Sequence, residues 1–220
     1  MPTHFLSRLA LLLIGIVLLS LAISLSIRSD IGTSPVSSIP YIYSVITPLS
    51  VGTLAILMQI LMIAAQILIL GRQFEWPQLL QLPASFLFGF AVDFMLWMTQ
   101  DLQPDLYISK LALCLLSCLI TAVAVCLMVK ANLIMMAVDA MYFAICKRWS
   151  FDFGRCKMWG DLSLVIFALV SILYFTGGVV GLREGTFISA ILVGTLIRYV
   201  MPYFSFIRFE KPLETNQSQA

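Results

Sequence analysis

The segment FLSRLALLLIGIVLLSLAISLSI, residues 5–27, decides the fold, because it contains a single charge, Arg8. A helix needs roughly 20 apolar residues to cross a hydrocarbon layer about 30 Å thick, so this segment is long enough to span a membrane. Four further runs contain no charge at all: residues 51–70, 111–129, 162–176 and 185–197. Backbone polar groups in lipid must be paired within the protein, which leaves helices and closed barrels. Barrel strands alternate apolar and polar residues, and these runs do not, so the sequence predicts an all-α membrane protein.

The composition agrees with this prediction and excludes several classes of function. Of the 220 residues, 61% are hydrophobic and only 11% are charged, whereas soluble domains are about 25% charged. The first run is too long for the apolar core of a secretory signal, and residues 24–30 lack a small-x-small cleavage site, so we expect a retained span. A net charge of +2 gives no reason to expect a nucleic-acid partner. With one histidine, His4, and five cysteines without a CxxC pair, we expect no cofactor and no metal.

Polar residues and glycines recur along the chain at a spacing of 102 residues. The matching pairs are Arg28 and Lys130, Asp30 and Asn132, Val36 and Val138, Ser37 and Asp139, Gly52 and Gly154, and Gln59 and Asp161. Near a spacing of 105, Gly89 matches Gly194 and Asp93 matches Arg198. We interpret this as an internal duplication with a first repeat at residues 1–100 and a second at 101–205. Residues 210–220 are polar, and we predict a disordered cytoplasmic tail at residues 206–220.

Each repeat is predicted to contain three full spans and one short helix. The predicted spans are residues 5–28, 51–70, 79–98, 107–130, 158–176 and 184–200, and the short helices are residues 35–46 and 135–145. Twelve helical residues cover roughly 18 Å, which is too short to cross comfortably, so the short helices are expected to be re-entrant. Three spans per repeat is an odd number, so the second repeat must enter the membrane with the opposite orientation. The expected architecture is six transmembrane helices plus two re-entrant half-helices, in two inverted repeats.

The basic residues predict the orientation of the chain. The segment 147–157 carries four basic residues, and the loop 71–78 and the C-terminal segment carry others, whereas the loop 99–108 carries two aspartates. Because cytoplasmic loops are enriched in Lys and Arg, both termini are expected on the cytoplasmic side. A model with eight full spans places the basic segment on the same side, so it remains an alternative.

The break between the first span and the first short helix, residues 29–38, is SDIGTSPVSS. Gly32 permits a tight turn, Ser34 is a candidate N-cap, and Pro35 suits the first helical position. A half-helix that begins here would point free N–H groups and a positive dipole end into the protein, which suits an anion or a carboxylate. The alternative is an exposed loop between two spans. The equivalent break, KANLIMMAVD at residues 130–139, lacks the Gly and the Pro, so the two breaks are not chemically equivalent.

Charged residues within spans are costly and are functional candidates. Inverted symmetry places them in two expected clusters: an outer one of Arg28, Asp30, Ser37, Gln59 and Asp93, and an inner one of Lys130, Asp139, Asp161 and Arg198. The alternative is that these residues only lock helices together. The candidate substrate-binding residues are Gly32, Thr33, Ser34, Ser37, Asp93, Lys130, Asn132, Asp139, Asp161 and Arg198.

Two glycine-containing segments carry a resemblance to a known family. DIGTSP at residues 30–35, and REGT at residues 183–186 leading into GTLI at residues 194–197, resemble the turns of the YczE/YyaS/YitT-like bacterial membrane proteins. The likeness covers most of residues 21–204. It implies a multi-pass protein of the bacterial inner membrane whose activity is open, with transport as one candidate. The sequence departs from that family at the second break, where Ile134 and Ala137 replace the usual Gly and Pro.

The function expected from these features is transport. Common hydrolase, nucleotide-binding and metalloprotease signatures are missing from the sequence, so we do not expect an enzyme. The leading hypothesis is a small secondary transporter or permease for a small polar or anionic metabolite. The alternative is a non-transporting membrane factor that binds a partner protein through the basic segment at residues 147–157.

Overall fold

The structure, a computed structural model, describes residues 2–71, 74, 76–150, 153–176 and 184–204. The described residues form eight α-helices and two short 3₁₀ segments, Trp76–Leu80 and Met201–Phe204, with no β-strand in those ranges. The helices are α1 Pro2–Arg28, α2 Pro35–Ile46, α3 Val51–Leu70, α4 Gln81–Met98, α5 Tyr107–Ala131, α6 Ala137–Trp149, α7 Phe153–Thr176 and α8 Glu184–Val200. The predicted all-α fold is confirmed for this part of the chain.

Several helices have the length and composition of membrane spans. Among the described residues, four segments qualify: Phe5–Arg28, Val51–Leu70, Gln78–Met98 and Tyr107–Ala131. Two shorter apolar segments follow, Ala137–Cys146 and Trp159–Phe175. Large apolar side chains cover the outside of the bundle, with Leu68 83% and Ile108 80% exposed. Outward apolar side chains on this scale suit contact with lipid and not with water.

The two short helices begin in the same way. Each follows a long helix and a residue in the left-handed conformation, Asp30 with φ 54° before α2 and Asn132 with φ 46° before α6. The N-cap of α2 is Ser34, whose Oγ accepts a hydrogen bond from the backbone N–H of Ser37 at 3.4 Å. The N-cap of α6 is Met136, which has no side-chain oxygen to cap the helix. The helix start predicted at residue 135 therefore lies two residues later, at Ala137.

The long helices α1 and α5 pack against each other in antiparallel directions. Gly15 lies against Met128, where an added Cβ would come within 2.5 Å of Cγ, and farther along α1 Asp30 forms a salt bridge with Lys110 at 3.0 Å. Higher residue numbers on α1 therefore meet lower numbers on α5. On their other sides α1 packs against α4, and α5 packs against α8.

The two short helices pack against the same pair of long helices. The helix α2 packs against α3 and α7, and α6 packs against the same two helices. Apolar side chains from α3, α6 and α7 form one cluster at this junction, and Met58, Val138 and Leu164 belong to it. A larger cluster of buried side chains joins α1, α3, α4 and α5. Both short helices are thereby held between long helices.

The connections at both ends of α2 lie at one end of the bundle. Ser24 Oγ donates to the carbonyl oxygen of Met95 at 3.1 Å, and Arg28 Nη2 donates to that of Leu96 at 2.8 Å, so α1 and α4 end side by side. Ser50 Oγ donates to Asp93 Oδ2 at 2.6 Å, which places the start of α3 near the same end of α4. The chain therefore enters and leaves α2 at the same end.

Candidate functional site

A cavity of about 490 Å³ lies where the two short helices begin, and we call it the central cavity. All eight helices contribute to its lining. Polar groups come from Ser34, Ser37, Gln59, Asn132, Asp139 and Asp161, and most of the remaining lining is apolar, with Ile23, Phe88, Val92 and Met128 among it. Sites for small molecules have volumes of about 300–1,000 Å³ and combine an apolar lining with a few polar groups, as this one does.

The N-terminal ends of α2 and α6 both border the central cavity. Residues 34–37 line it from α2, and Met136, Val138 and Asp139 line it from α6. The first N–H groups of a helix have no partner within the helix and carry a partial positive charge. Each of these ends contributes a partial positive charge that favours electron-rich groups, and at α6 the carboxyl group of Asp139 in the first turn already lies in it.

Two glutamines of α3 hold the first residue of α6. Gln59 Oε1 accepts a hydrogen bond from the backbone N–H of Ala137 at 3.2 Å, and Gln66 Nε2 donates to the carbonyl oxygen of Ala137 at 2.8 Å. Gln66 also contacts Gln81 of α4, at 3.3 Å between Nε2 and Oε1. The Gln59 contact supplies the cap that Met136 cannot provide. The start of α6 is therefore positioned by side chains of another helix.

Two aspartates lie along the central cavity, one at the start of α6 and one on α7. The hydroxyl of Tyr142 donates a hydrogen bond to Asp161 Oδ1 at 3.1 Å. Tyr142 is almost completely buried, and its ring rests on Gly160, where any Cβ would overlap it. Asp139 and Asp161 are both half-buried. The tyrosine therefore fixes the orientation of one of the two acidic groups at the cavity.

The structure brings half of the predicted site residues to the central cavity: Ser34, Ser37, Asn132, Asp139 and Asp161. Gly32 and Thr33 lie beside it and are buried against other parts of the chain. At Gly32, φ is 152° and an added Cβ would lie 2.5 Å from the backbone nitrogen of Thr186, so this turn packs on the start of α8. Thr33 is 2% exposed and shares a hydrogen bond of 3.2 Å with Ser38.

The other predicted site residues are not part of the cavity lining as described. Asp93 binds the start of α3, where its Oδ1 accepts from the backbone N–H of Gly52 at 2.7 Å. Lys130 is half-buried in the last turn of α5 and does not line the cavity. The backbone of Arg198 belongs to α8, but its side chain lies outside the described part of the structure. In the basic segment at residues 147–157, the side chains of Lys147, Arg155 and Lys157 also lie outside the described part of the structure, and Arg148 is exposed.

The arrangement differs from the two separate clusters expected from symmetry. Ser37 and Gln59, expected on the outer side, share the central cavity with Asp139 and Asp161, expected on the inner side. The physical reason is that the first residues of both short helices border the same cavity. Asp30, from the expected outer cluster, pairs instead with Lys110.

Sequence reasoning missed the glutamine network around Ala137. Gln66 is 1% exposed and Gln81 is 4% exposed, and neither was expected to contribute to the site. A signal existed, because Gln59 and Gln66 are seven residues apart and lie on one face of a helix that carries no charge. Buried amides in such a helix must find partners, and here the partners are the backbone atoms at the start of α6.

Together the fold and the cavity define a helical protein in which four described segments are long and apolar enough to span a membrane, with a small-molecule-sized cavity bordered by two helix N-termini. The chain belongs to a family of unknown function (DUF6198), whose model matches residues 6–202. No curated protein and no solved structure matches the chain. The likeness to the YczE/YyaS/YitT-like proteins stays a prediction.

Proposed function

We propose that this protein is a small secondary transporter or permease of the bacterial inner membrane, and that it binds a small polar or anionic metabolite in the central cavity. The observation that carries the proposal is the meeting of two helix N-termini and two aspartates at one cavity of suitable volume. Interrupted helices whose ends point at a central site are typical of secondary transporters. The partner-binding alternative predicts a solid apolar core, which the cavity does not favour.

The proposed architecture is two inverted repeats, and the helix contacts support it. If α1–α4 correspond to α5–α8, the contact of α1 with α4 matches that of α5 with α8, and the contact of α2 with α3 matches that of α6 with α7. The contacts of α2 with α7 and of α3 with α6 also exchange correctly. The close packing of α3 on α4 has no counterpart of similar extent between α7 and α8 among the described residues. The antiparallel packing of α1 and α5 is the relation that inverted copies require.

Individual residues support the same spacing of 102 residues. Ser24 Oγ lies 3.1 Å from the carbonyl oxygen of Met95, and Cys126 Sγ lies 4.0 Å from that of Ile197, with both partners displaced by 102 positions. On α4 and α8 this contact therefore favours a spacing of 102 over the 105 expected from the glycines and charges. The N-caps Ser34 and Met136 are also 102 positions apart and have nearly the same backbone angles. Apolar composition alone does not produce matched long-range contacts.

The proposed membrane arrangement is six spans and two re-entrant half-helices, with both termini in the cytoplasm. The four span-length segments supply α1, α3, α4 and α5, and we assign α7 and α8 as the other two. Both connections of α2 lie at one end of the bundle, which supports a re-entrant helix over a full crossing.

In the proposed mechanism, the two repeats move relative to each other around a ligand held in the central cavity. The half-helix ends contribute backbone N–H groups and the cavity side chains contribute hydrogen bonds. Asp139 and Asp161 couple protons or gate the cavity, since a carboxyl group in a largely apolar lining changes its interactions strongly when it gains a proton. Tyr142 holds Asp161 in the orientation needed for this exchange.

Uptake by the purified protein in proteoliposomes, with a panel of labelled small metabolites, tests the proposal. We expect uptake of at least one polar or anionic compound, and at least a tenfold loss of that uptake in Asp139→Asn. The control is Asp101→Asn, an exposed loop aspartate that does not line the cavity, which should transport normally. Absence of flux for every compound, or undiminished flux in Asp139→Asn, would contradict the proposal.

A further inference from the structure

A buried amide group beside the central cavity has a donor without a partner. Gln59 is 4% exposed and lines the cavity, and its Oε1 is used by the backbone N–H of Ala137. Within the described part of the chain, its Nε2 makes no hydrogen bond. An amide NH₂ group has two hydrogens to donate and cannot accept, and buried polar groups nearly always have partners.

The hydrogen bond from Ala137 fixes which end of the Gln59 amide is which. If the amide were turned over, Nε2 would face the N–H of Ala137 and two donors would oppose each other, so Oε1 must face Ala137. The NH₂ group is then held on the remaining side, next to the first residues of α6. It adds a directed donor to the partial positive charge of that helix end.

We propose that Gln59 Nε2 and the start of α6 form a subsite for a hydrogen-bond-accepting oxygen of the ligand, a carboxylate or a carbonyl, and that the apolar lining holds an apolar body attached to it. This inference rests on the proposed function, because it names the chemical class that the central cavity recognises. The apolar body follows from the lining, which is mostly apolar and in which Ile23, Phe88, Val92 and Met128 belong to one cluster of buried side chains. Ligands without an accepting oxygen leave the buried donor unpaired and bind more weakly.

Three probes with one apolar body and different head groups test the subsite. Phenylacetate carries an anionic acceptor, phenylacetamide a neutral carbonyl, and phenethylamine a cation that only donates. Binding of each radiolabelled probe to the full chain in lipid nanodiscs is measured by equilibrium dialysis, and empty nanodiscs correct for partition into lipid. We expect phenylacetate, phenylacetamide or both to bind at least tenfold more tightly than phenethylamine. The order of the first two reports whether the subsite takes an anion or a neutral carbonyl.

The variant Gln59→Glu isolates the proposed donor. It keeps an oxygen to accept from Ala137 and replaces only the NH₂ group, so the preference for accepting heads should fall at least tenfold. Gln100→Glu is the control, because it makes the same chemical change at an exposed loop residue that does not line the cavity and is not part of the glutamine network. That control should bind the probes as the unaltered protein does. A second variant, Gln59→Met, removes both polar atoms and should also lose the preference.

The outcomes separate this inference from the proposed function. Equal binding of phenethylamine, binding of none of the probes, or an unchanged preference in Gln59→Glu overturns the subsite, even if the protein transports a metabolite. Selective binding that depends on Gln59, together with no flux in proteoliposomes, supports the subsite and overturns transport.

Discussion

Gln59 Oε1 accepts the hydrogen bond of the first N–H group of α6, from Ala137, at 3.2 Å. A side chain in the middle of a long helix thereby performs the task that an N-cap residue usually performs locally. In the proposed repeat the equivalent of Ala137 is Pro35, which has no N–H group to cap. The equivalent of Gln59 is Asp161, and its carboxylate accepts from Tyr142 instead. The two breaks therefore differ in their first helical residue, Pro35 or Ala137, and also in the α7 or α3 residue at the equivalent position, Asp161 or Gln59.

Removing the carboxylate of Asp93 should weaken the start of α3. Its two oxygens accept from Ser50 Oγ at 2.6 Å and from the backbone N–H of Gly52 at 2.7 Å. Hydrogen bonds to a charged acceptor contribute about 1.5–3 kcal/mol. We expect Asp93→Ala to lower the free energy of unfolding by about 2 kcal/mol and Asp93→Asn by less, since the amide keeps one acceptor. Thermal unfolding in detergent measures both effects.

The control for Asp93 is Asp101→Asn, which lies in an exposed loop and should leave stability unchanged. The test also separates a structural role from the substrate-binding role expected from the sequence. If Asp93→Asn unfolds at the same temperature as the unaltered protein but loses uptake, the capping role is wrong.

The close approach of α3 and α4 depends on two glycines. A Cβ added at Gly89 would overlap the side chain of Ile56 and lie 2.7 Å from the carbonyl oxygen of Gly52. Overpacking of this kind typically costs 1–3 kcal/mol. We expect Gly89→Ala to lower the free energy of unfolding by about 2 kcal/mol, measured by titration with a denaturing detergent.

A helical glycine in open space provides the comparison for Gly89. Gly194 on α8 has no heavy atom within 4 Å of an added Cβ, other than its own helix and chain neighbours. Because alanine favours a helix by about 0.5–1 kcal/mol over glycine, Gly194→Ala should leave stability equal or slightly higher. If Gly89→Ala and Gly194→Ala lowered the free energy of unfolding equally, the contact between α3 and α4 would not be the cause of the loss in Gly89→Ala.

The sequence predicted most of the helices because long apolar runs in lipid leave few alternatives. The bounds of α2, α3 and α8 agree with the predicted ones, and Pro35, Ser34 and Gly32 explain why the first break was easy to locate. The second break was harder, because Met136 carries no capping oxygen and its helix start is fixed by Gln59, which is distant in sequence.

The composition of the site was less predictable than the fold. Local patterns identified Ser34, Ser37, Asn132, Asp139 and Asp161, which all line the central cavity. They did not show that Asp93 would be used to bind the start of α3, since that contact depends on the packing of α3 against α4. A carboxylate in a membrane helix needs hydrogen-bond donors, and either a ligand or the first N–H groups of another helix can supply them.

The turn at Gly32 should tolerate alanine poorly, because two effects add. Its φ of 152° is unfavourable for a residue with a Cβ, and that Cβ would come within 2.5 Å of the Thr186 backbone nitrogen. The neighbouring hydrogen bond from Gly185 N–H to the Ile31 carbonyl oxygen, at 3.1 Å, would be strained as well. We expect Gly32→Ala to lower the free energy of unfolding by about 2–3 kcal/mol.

Gly71→Ala separates these two effects by thermal unfolding. Gly71 also has a positive φ, 52°, but an added Cβ there meets nothing within 4 Å. Its ψ of −116° lies outside the left-handed helical region. The substitution therefore carries only the conformational cost of a sparsely populated backbone region, about 1–3 kcal/mol. A loss in Gly32→Ala no larger than that in Gly71→Ala would mean that the contact between the first break and α8 is unimportant.

The re-entrant course of α2 can be tested by the accessibility of single cysteines. Pro48, after α2, and Ser150, after α6, are both exposed. In the proposed arrangement they lie on opposite sides of the membrane, with Ser150 in the cytoplasm, whereas eight full spans place them on the same side. A membrane-impermeant maleimide should label Pro48→Cys in intact cells and Ser150→Cys only after the membrane is opened.

Labelling of introduced cysteines requires that the native cysteines do not react, and one substitution is enough for this. Cys114, Cys118, Cys126 and Cys146 are buried, so Cys156→Ser removes the one described cysteine that is partly exposed. Gln100→Cys, in the exposed loop after α4, should be labelled together with Pro48→Cys, because Ser50 and Asp93 hold the start of α3 near the end of α4. Labelling of Pro48→Cys and Ser150→Cys under the same condition would require α2 and α6 to cross fully. The convergence of their first residues on the central cavity would then need another explanation.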